Sequence, residues 1–178
     1  MNLKKIKILD TFLIFSLCFL LHFLYEWFPN AITAIFTPVN ESIWEHMKLI
    51  STSYILYGIF DYYLLNKYDK TNNFLIQLFL VPLIGIILYL LIYIPIYNII
   101  GENMIVSIVL LFVIIIIEQI ISYYFLNNKN LIYQNTIGIL GIIFIYVIFG
   151  YLTYKPIINY LFFDIKNDKY GINTYIFE

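Results

Sequence analysis

Five long apolar stretches constrain this chain more than any other feature of its sequence. A helix needs about 20 apolar residues to cross the roughly 30 Å hydrocarbon core of a bilayer. The stretches have at least that length, and they are continuous rather than alternating, which favours helices over a membrane β-barrel. They cover residues 8–28, 41–65, 74–97, 103–126 and 131–153. The sequence therefore predicts an all-α integral membrane bundle of five transmembrane helices, multi-pass in the cell membrane.

Composition supports this prediction and excludes several classes of function. The chain is 62% hydrophobic and 12% charged, whereas soluble domains are about 45–50% apolar and about 25% charged. A net charge of −1 and the lack of arginine leave no surface for a polyanion, so we expect the lipid bilayer, and no nucleic acid, as partner. The single cysteine, Cys18, excludes an internal disulfide and a cysteine-based metal cluster.

The distribution of lysine predicts the orientation. Lysines occur before the first stretch and in the second and fourth connections, and the first and third connections have none. These residues are Lys4, Lys5, Lys7, Lys67, Lys70 and Lys129. Because cytoplasmic segments are enriched in lysine and arginine, the N-terminus is expected in the cytoplasm. Five crossings then place the C-terminal tail outside.

The domain organisation follows from the same pattern. Residues 1–153 form a single transmembrane domain, and residues 154–178 form a tail. The tail cannot span the bilayer, because charged residues interrupt it about ten residues after Pro156. We expect it to rest at the membrane interface or to fold back as a lid over the same leaflet as the polar residues described next.

Polar side chains concentrate where the first span ends and the second begins. Ionisable groups inside a membrane cost several kcal/mol each unless they are paired, and they are often functional. His22 and Glu26 share one helix face, and Glu41, Glu45 and Lys48 form one stripe on the second helix, with Asn40 or Ser42 as its N-cap. The candidate binding residues are His22, Glu26, Asn40, Glu41, Glu45, His46 and Lys48.

These residues allow three interpretations. The first is a protein that binds or transports a cation or small polar solute. The second is a metal-dependent membrane-embedded enzyme, in which Glu41 or Glu45 acts as general base on a metal-bound water. The third is a structural or accessory subunit, in which Lys48 neutralises a glutamate. Imidazole and carboxylate suit divalent zinc, iron or manganese. The candidate metal ligands are His22, Glu26, Glu45 and His46.

Three further features of the spans predict how the helices pack. Gly138 and Gly141 lie one turn apart in the fifth span and predict a close helix approach. Asp61 is expected to reach the membrane interface. The carboxyl group of Glu118, deep in the fourth span, is expected to hydrogen-bond to the fifth span. Its candidate partners there are Gln134, Asn135 and Thr136.

Two motifs and the tail carry a resemblance to a known family. The motifs are His22-x-x-Tyr25-Glu26-Trp27 and Pro38-Val39-Asn40-Glu41-Ser42-Ile43-Trp44-Glu45-His46-Met47-Lys48. The tail contributes Lys155-Pro156, Leu161-Phe162-Phe163-Asp164 and Tyr170-Gly171-Ile172. The chain resembles an uncharacterised family of small five-span bacterial membrane proteins, a domain of unknown function with an Asn-Glu-Ser-x-Trp-Glu-His signature. The resemblance spans nearly the whole chain and implies the fold and membrane location, without an activity or cofactor.

Overall fold

The computed structural model describes residues 2–172, so the last six residues of the predicted tail lie outside the described part. Within it the chain forms six helices and one two-stranded antiparallel hairpin. The helices are α1 (Leu3–Trp27), α2 (Ala31–Phe36), α3 (Ile43–Asn66), α4 (Phe74–Ile100), α5 (Met104–Asn127) and α6 (Gln134–Tyr154). The strands are β1 (Phe163–Asp164) and β2 (Lys169–Tyr170). The predicted all-α class is confirmed.

Four of these helices are long and apolar enough to cross a membrane. They are α1, α4, α5 and α6, with mean hydropathy between 2.0 and 3.0 over their most apolar windows. This pattern is that of a multi-pass membrane protein. Helix α3 has a comparable length of 24 residues but contains Glu45, Lys48 and Asp61, and it is not among the four. The fifth crossing and the orientation therefore stay predictions.

Side-chain caps define the helix starts near the polar residues. The Ser42 hydroxyl accepts a hydrogen bond from the backbone N–H of Glu45, so α3 begins at Ile43, with Ser42 as the predicted cap. The connection before α3 contains α2, a short helix that the apolar pattern did not predict. Asn30 and Thr33 cap it reciprocally, side chain to backbone.

Close helix packing surrounds α4. Helix α4 packs against α3, α5 and α6, and α1 packs against α3 and α5. Gly138 lies against the backbone of Leu75, and Gly141 lies against the ring of Phe79. A Cβ atom at either glycine would overlap these neighbours, so the predicted close approach of the last helix is confirmed.

The described part of the tail returns across the end of the bundle where α1 ends and α3 begins. The carbonyl of Leu161 accepts from the backbone N–H of Trp44 at 2.8 Å, and the carbonyl of Gly171 accepts from Asn40 Nδ2 at 3.0 Å. Gly171 has φ of +54°, and a Cβ atom there would overlap the carbonyl of Thr153. The turn at this position therefore requires glycine.

Candidate functional site

Three of the predicted site residues meet at this end of the bundle: His22 of α1, His46 of α3 and Glu41 just before α3. The two imidazole Nε2 atoms lie 3.2 Å apart. Glu41 places Oε1 3.6 Å from His22 Nε2 and Oε2 3.9 Å from His46 Nε2. One ligand atom from each residue can be chosen so that all three lie within 4.8 Å of one another. We call these three residues the His–Glu trio.

Hydrogen bonding orients the His46 ring. Its Nδ1 lies 2.8 Å from the carbonyl oxygen of Ser42, which can only accept, so Nδ1 carries the hydrogen. The lone pair of Nε2 consequently points toward His22 and Glu41. A backbone carbonyl that accepts from the other ring nitrogen in this way fixes the tautomer of metal-binding histidines. The lone pair of His46 Nε2 accepts a hydrogen bond from His22 Nε2–H at 3.2 Å. If His22 carries its hydrogen on Nδ1 instead, both Nε2 atoms could bind a cation.

A cavity of about 340 Å³ lies beside the trio, between α1, α3, α4, α5 and the tail. Its walls are mainly aromatic and aliphatic, and Cys18 forms part of them. The tyrosines in the wall are Tyr89, Tyr93, Tyr97 and Tyr160. Small-ligand sites in proteins are concave, largely apolar and of about 300–1,000 Å³, with a few polar groups that fix orientation. The cavity has this size and apolar character, and the His–Glu trio provides polar groups at its wall.

The tail places one cation beside the trio. Lys166 Nζ lies 3.1 Å from Glu41 Oε2 and 3.8 Å from Glu102 Oε1. The hydrogen bond to Glu41 is the main reason why the pKa of Lys166 lies above its usual value. The Lys166 side chain is 53% exposed, so the ion pair is a surface contact that contributes at most about 1 kcal/mol.

Asp164 anchors the same segment of the tail. Its Oδ2 accepts from the backbone N–H of Glu41 at 3.0 Å, and Oδ1 accepts from the backbone N–H groups of Lys166 and Asn167. Burial alone would raise the pKa of Asp164, but these bonds and one from Asn167 Nδ2 outweigh it and hold the pKa below its usual value. The carboxylate thereby ties the tail to the backbone of Glu41.

Glu45 and Lys48 lie in a separate, closed network. Lys48 Nζ is 2.5 Å from Glu45 Oε2, and the two side chains are 0% and 2% exposed. Glu45 also accepts from the backbone N–H of Val39 at 3.1 Å and from the Thr153 hydroxyl at 3.0 Å. The remaining acceptors for the ammonium group are Ala34 O, Thr37 O and Thr153 Oγ1. This network joins α2, α3 and α6, and within it both carboxylate oxygens of Glu45 are buried and hydrogen-bonded.

The seven predicted binding residues thus divide by environment. His22, Glu41 and His46 come together, whereas Glu45 and Lys48 pair with each other. Asn40 bonds to Gly171 and to the backbone of Ser42, and Glu26 is exposed at the end of α1. Of the predicted metal ligands, His22 and His46 meet, but Glu26 and Glu45 do not join them. Glu41 takes their place because α3 begins at Ile43, so Glu41 lies in the preceding loop, off the helical stripe of Glu45.

Two polar features deeper in the bundle differ from the expectations. Asp61 does not reach an interface: it is 4% exposed and 2.5 Å from Lys7 Nζ, which also lies 2.8 Å from Asp10 Oδ2. The i, i+3 spacing of Lys7 and Asp10 inside an apolar run could have predicted this buried cluster, because residues three apart lie on the same face of a helix. Glu118 makes no hydrogen bond to α6 in the described part of the chain, so that expectation is wrong.

Comparison with known proteins gives one match. The model of a family described as a family of unknown function (DUF6512) matches residues 1–172, nearly the whole chain. No curated protein and no solved structure matches the chain. The site must therefore be interpreted from its own geometry.

Proposed function

The chain belongs to DUF6512, a family of unknown function, and we propose that it binds a divalent transition-metal cation at the His–Glu trio as the first step of cation transport. The single observation that supports this most is the approach of two imidazoles and one carboxylate to within 4.8 Å of one another. Nitrogen donors favour zinc, iron(II) or manganese over calcium and magnesium, which prefer all-oxygen sites.

The proposed topology has five crossings, with α3 as the fifth. Its charged groups are neutralised inside the protein, Glu45 by Lys48 and Asp61 by Lys7, which lowers the cost of placing them in a bilayer. With the N-terminus in the cytoplasm of a bacterial cell, the trio and tail face outward. A reporter fused to the C-terminus should then be active only outside, and a cytoplasmic signal would contradict this topology.

Access to the trio supports a transported cation over a permanently enclosed one. The side chains of His22, Glu41 and His46 are each between 26% and 29% exposed. Three protein ligands also leave at least one coordination position open for water or for onward transfer. A cation at Glu41 would compete with Lys166 for the same carboxylate oxygen.

Zinc titration of the purified protein tests the binding step. We expect one zinc ion per chain, and His46→Ala should weaken binding by about tenfold or more, equivalent to about 1.4 kcal/mol. Glu26→Gln is the matched control, since Glu26 is exposed and outside the trio. Binding by His46→Ala at the wild-type affinity would overturn the proposal. Zinc entry into vesicles that contain the protein and an internal zinc dye then tests transport.

The cavity favours one alternative, a metal-dependent membrane-embedded enzyme. A cavity of about 340 Å³ with mainly apolar walls is large enough for an organic substrate beside the trio. A metal held there would act as a Lewis acid or activate water. In that case zinc would stay bound through repeated washing and no zinc would enter the vesicles. Zinc that exchanges and crosses the membrane supports the transport function.

A further inference from the structure

Glu118 is the most unusual buried group in the molecule. It is 0% exposed, and neither carboxyl oxygen has a hydrogen-bond partner among the described residues. It packs against Gly85 of α4, where a Cβ atom would overlap the carboxyl group. By helix rise, Glu118 lies about 21 Å from the start of α5 and about 14 Å from its end, so it is near the middle of the bilayer.

An unpaired carboxylate at that depth would cost several kcal/mol. Glu118 therefore holds a proton as a neutral acid. Gly85 of α4 lies against its carboxyl group, Cys18 of α1 and Tyr54 of α3 lie within its electrostatic range, and Gln119 and Ser122 are buried near it on its own helix. None of these five residues carries a positive charge, so none of them stabilises a permanent negative charge on Glu118.

Buried polar groups continue from Glu118 toward the His–Glu trio. Cys18 lies within electrostatic range of Glu118, and its thiol donates to Ser53 Oγ at 3.3 Å. Cys18 also lines the cavity together with His22, one helical turn further along α1. Cys18 is thus both a residue of the cavity wall and a residue within electrostatic range of Glu118.

Polar groups also continue from Glu118 toward the opposite end of the bundle. Tyr54 lies within electrostatic range of Glu118, Asp10 and Asp61, and its hydroxyl donates to Gln77 Oε1. One turn further along α3, the Tyr57 hydroxyl donates to Asp10 Oδ1 at 2.9 Å. The buried cluster of Lys7, Asp10 and Asp61 follows.

This set of residues, which we call the Glu118 column, spans much of the membrane. From Cys18 to Lys7 the α1 axis covers about 16 Å of a hydrocarbon core of roughly 30 Å, and the cavity extends the polar path at the other end. A purely structural role accounts for bonded groups such as Tyr57 and Asp10. It does not account for Glu118, whose oxygens bond to nothing in the described part of the chain.

We propose that the Glu118 column conducts protons between the cavity and the buried cluster of Lys7, Asp10 and Asp61. Glu118 releases its proton toward the Tyr54 and Gln77 side and takes one from the cavity side, so the number of protons on it is restored in each cycle. The carboxylates of Asp10 and Asp61 accept the proton at the far end and pass it to water on that side, so they too end the cycle with the protons that they began with. This route does not require a metal at the trio. If the proposed function holds, protons that move down their gradient through the column would drive cation transport.

Vesicles that contain the purified protein and an internal pH dye test this proposal. A potassium diffusion potential, negative inside, should acidify the lumen faster than in protein-free vesicles. Glu118→Gln should slow acidification by about tenfold or more, a difference of about 1.4 kcal/mol. Glu26→Gln, the same chemical change at an exposed position outside both the column and the cavity wall, should leave the rate unchanged. Conduction by Glu118→Gln at the wild-type rate would overturn the proposal. The proposal would also be overturned if vesicles with the wild-type protein conducted protons no faster than protein-free vesicles, both when zinc is present and when it is absent.

Tyr54→Phe provides a second variant if Glu118→Gln fails to fold. It keeps the ring and removes the hydroxyl, so conduction should fall several-fold, and an unchanged rate would contradict the column. Zinc titration of each variant separates this inference from the proposed function. Lost conduction in Glu118→Gln with intact zinc binding supports the column, whereas conduction without zinc binding in the wild type overturns only the metal site.

Discussion

Glu41 and Glu45 are four residues apart, yet the structure gives them opposite environments. Glu45 is 2% exposed and bonded to a buried ammonium group, a hydroxyl and a backbone N–H. Glu41 is 29% exposed and faces two imidazoles and the exposed ammonium group of Lys166. The difference arises because α3 begins between them, at Ile43. A buried carboxylate whose oxygens are hydrogen-bonded stabilises the fold, whereas a partly exposed carboxylate whose neighbours can be displaced is available to a ligand.

Removing the cation from the buried Glu45–Lys48 pair should have the largest effect. Lys48→Ala leaves Glu45 buried without its cation, which costs about 3–5 kcal/mol of folding free energy. Thermal or denaturant unfolding in detergent measures this loss. The double variant Glu45→Gln with Lys48→Met is the control, because it removes both charges and should recover most of the stability. A loss below about 1 kcal/mol for Lys48→Ala would contradict the structural role of the network.

Removing the tail cation Lys166 should raise the zinc affinity of the exposed site at Glu41. Lys166→Ala eliminates the competitor for Glu41 Oε2, so zinc affinity should rise by about three- to tenfold, or about 1 kcal/mol. Unfolding stability should stay nearly unchanged, because the Lys166 side chain is 53% exposed. Lys169→Ala is a matched control on the same hairpin. A fall in zinc affinity on removal of Lys166 would mean that this lysine helps to form the site rather than competing for it.

The pH dependence of tail docking should be the smallest effect over the physiological range. The lowered pKa of Asp164 means that its contribution is complete above the usual aspartate value of 3.8 and is lost as the pH falls through the lowered pKa. The raised pKa of Lys166 means that its contribution is present below 10.5 and is lost as the pH rises through the raised pKa. Protease cleavage of the tail should therefore stay constant from about pH 5 to 9. Release of the tail within that range would contradict the assigned bonds.

Much of the fold could be predicted because bilayer thickness and capping chemistry act locally along the chain. The long apolar runs and the Ser42 cap each depend on a few neighbouring residues. The short helix α2 was not predicted, because its signal is an Asn30–Thr33 capping box within a six-residue helix rather than an apolar period. Helix α3 still lacks the apolar character that would establish a fifth span.

The site could be predicted only in part, because partners from distant segments determine each polar environment. His22 and His46 could be named as candidates together because the first span ends where the second begins, and Lys48 was available to either glutamate. The start of α3 at Ile43 leaves Glu45 as the partner of this lysine, and Thr153, more than one hundred residues away, bonds to both side chains. The same limit applies to Asp61, whose partner Lys7 is 54 positions away in sequence. Sequence spacing identifies candidate polar residues, and tertiary contacts divide them between structure and site.

Parallel zinc titration of Glu41→Gln and Glu45→Gln separates the carboxylate of the site from the carboxylate of the buried network. Glu41→Gln should weaken zinc binding by about tenfold or more while the protein unfolds at nearly the wild-type temperature. Glu45→Gln should lower the unfolding temperature, but its folded fraction should bind zinc with the wild-type affinity. If Glu41→Gln binds zinc as the wild type does while folded Glu45→Gln does not, the assignment of Glu41 to the site is wrong.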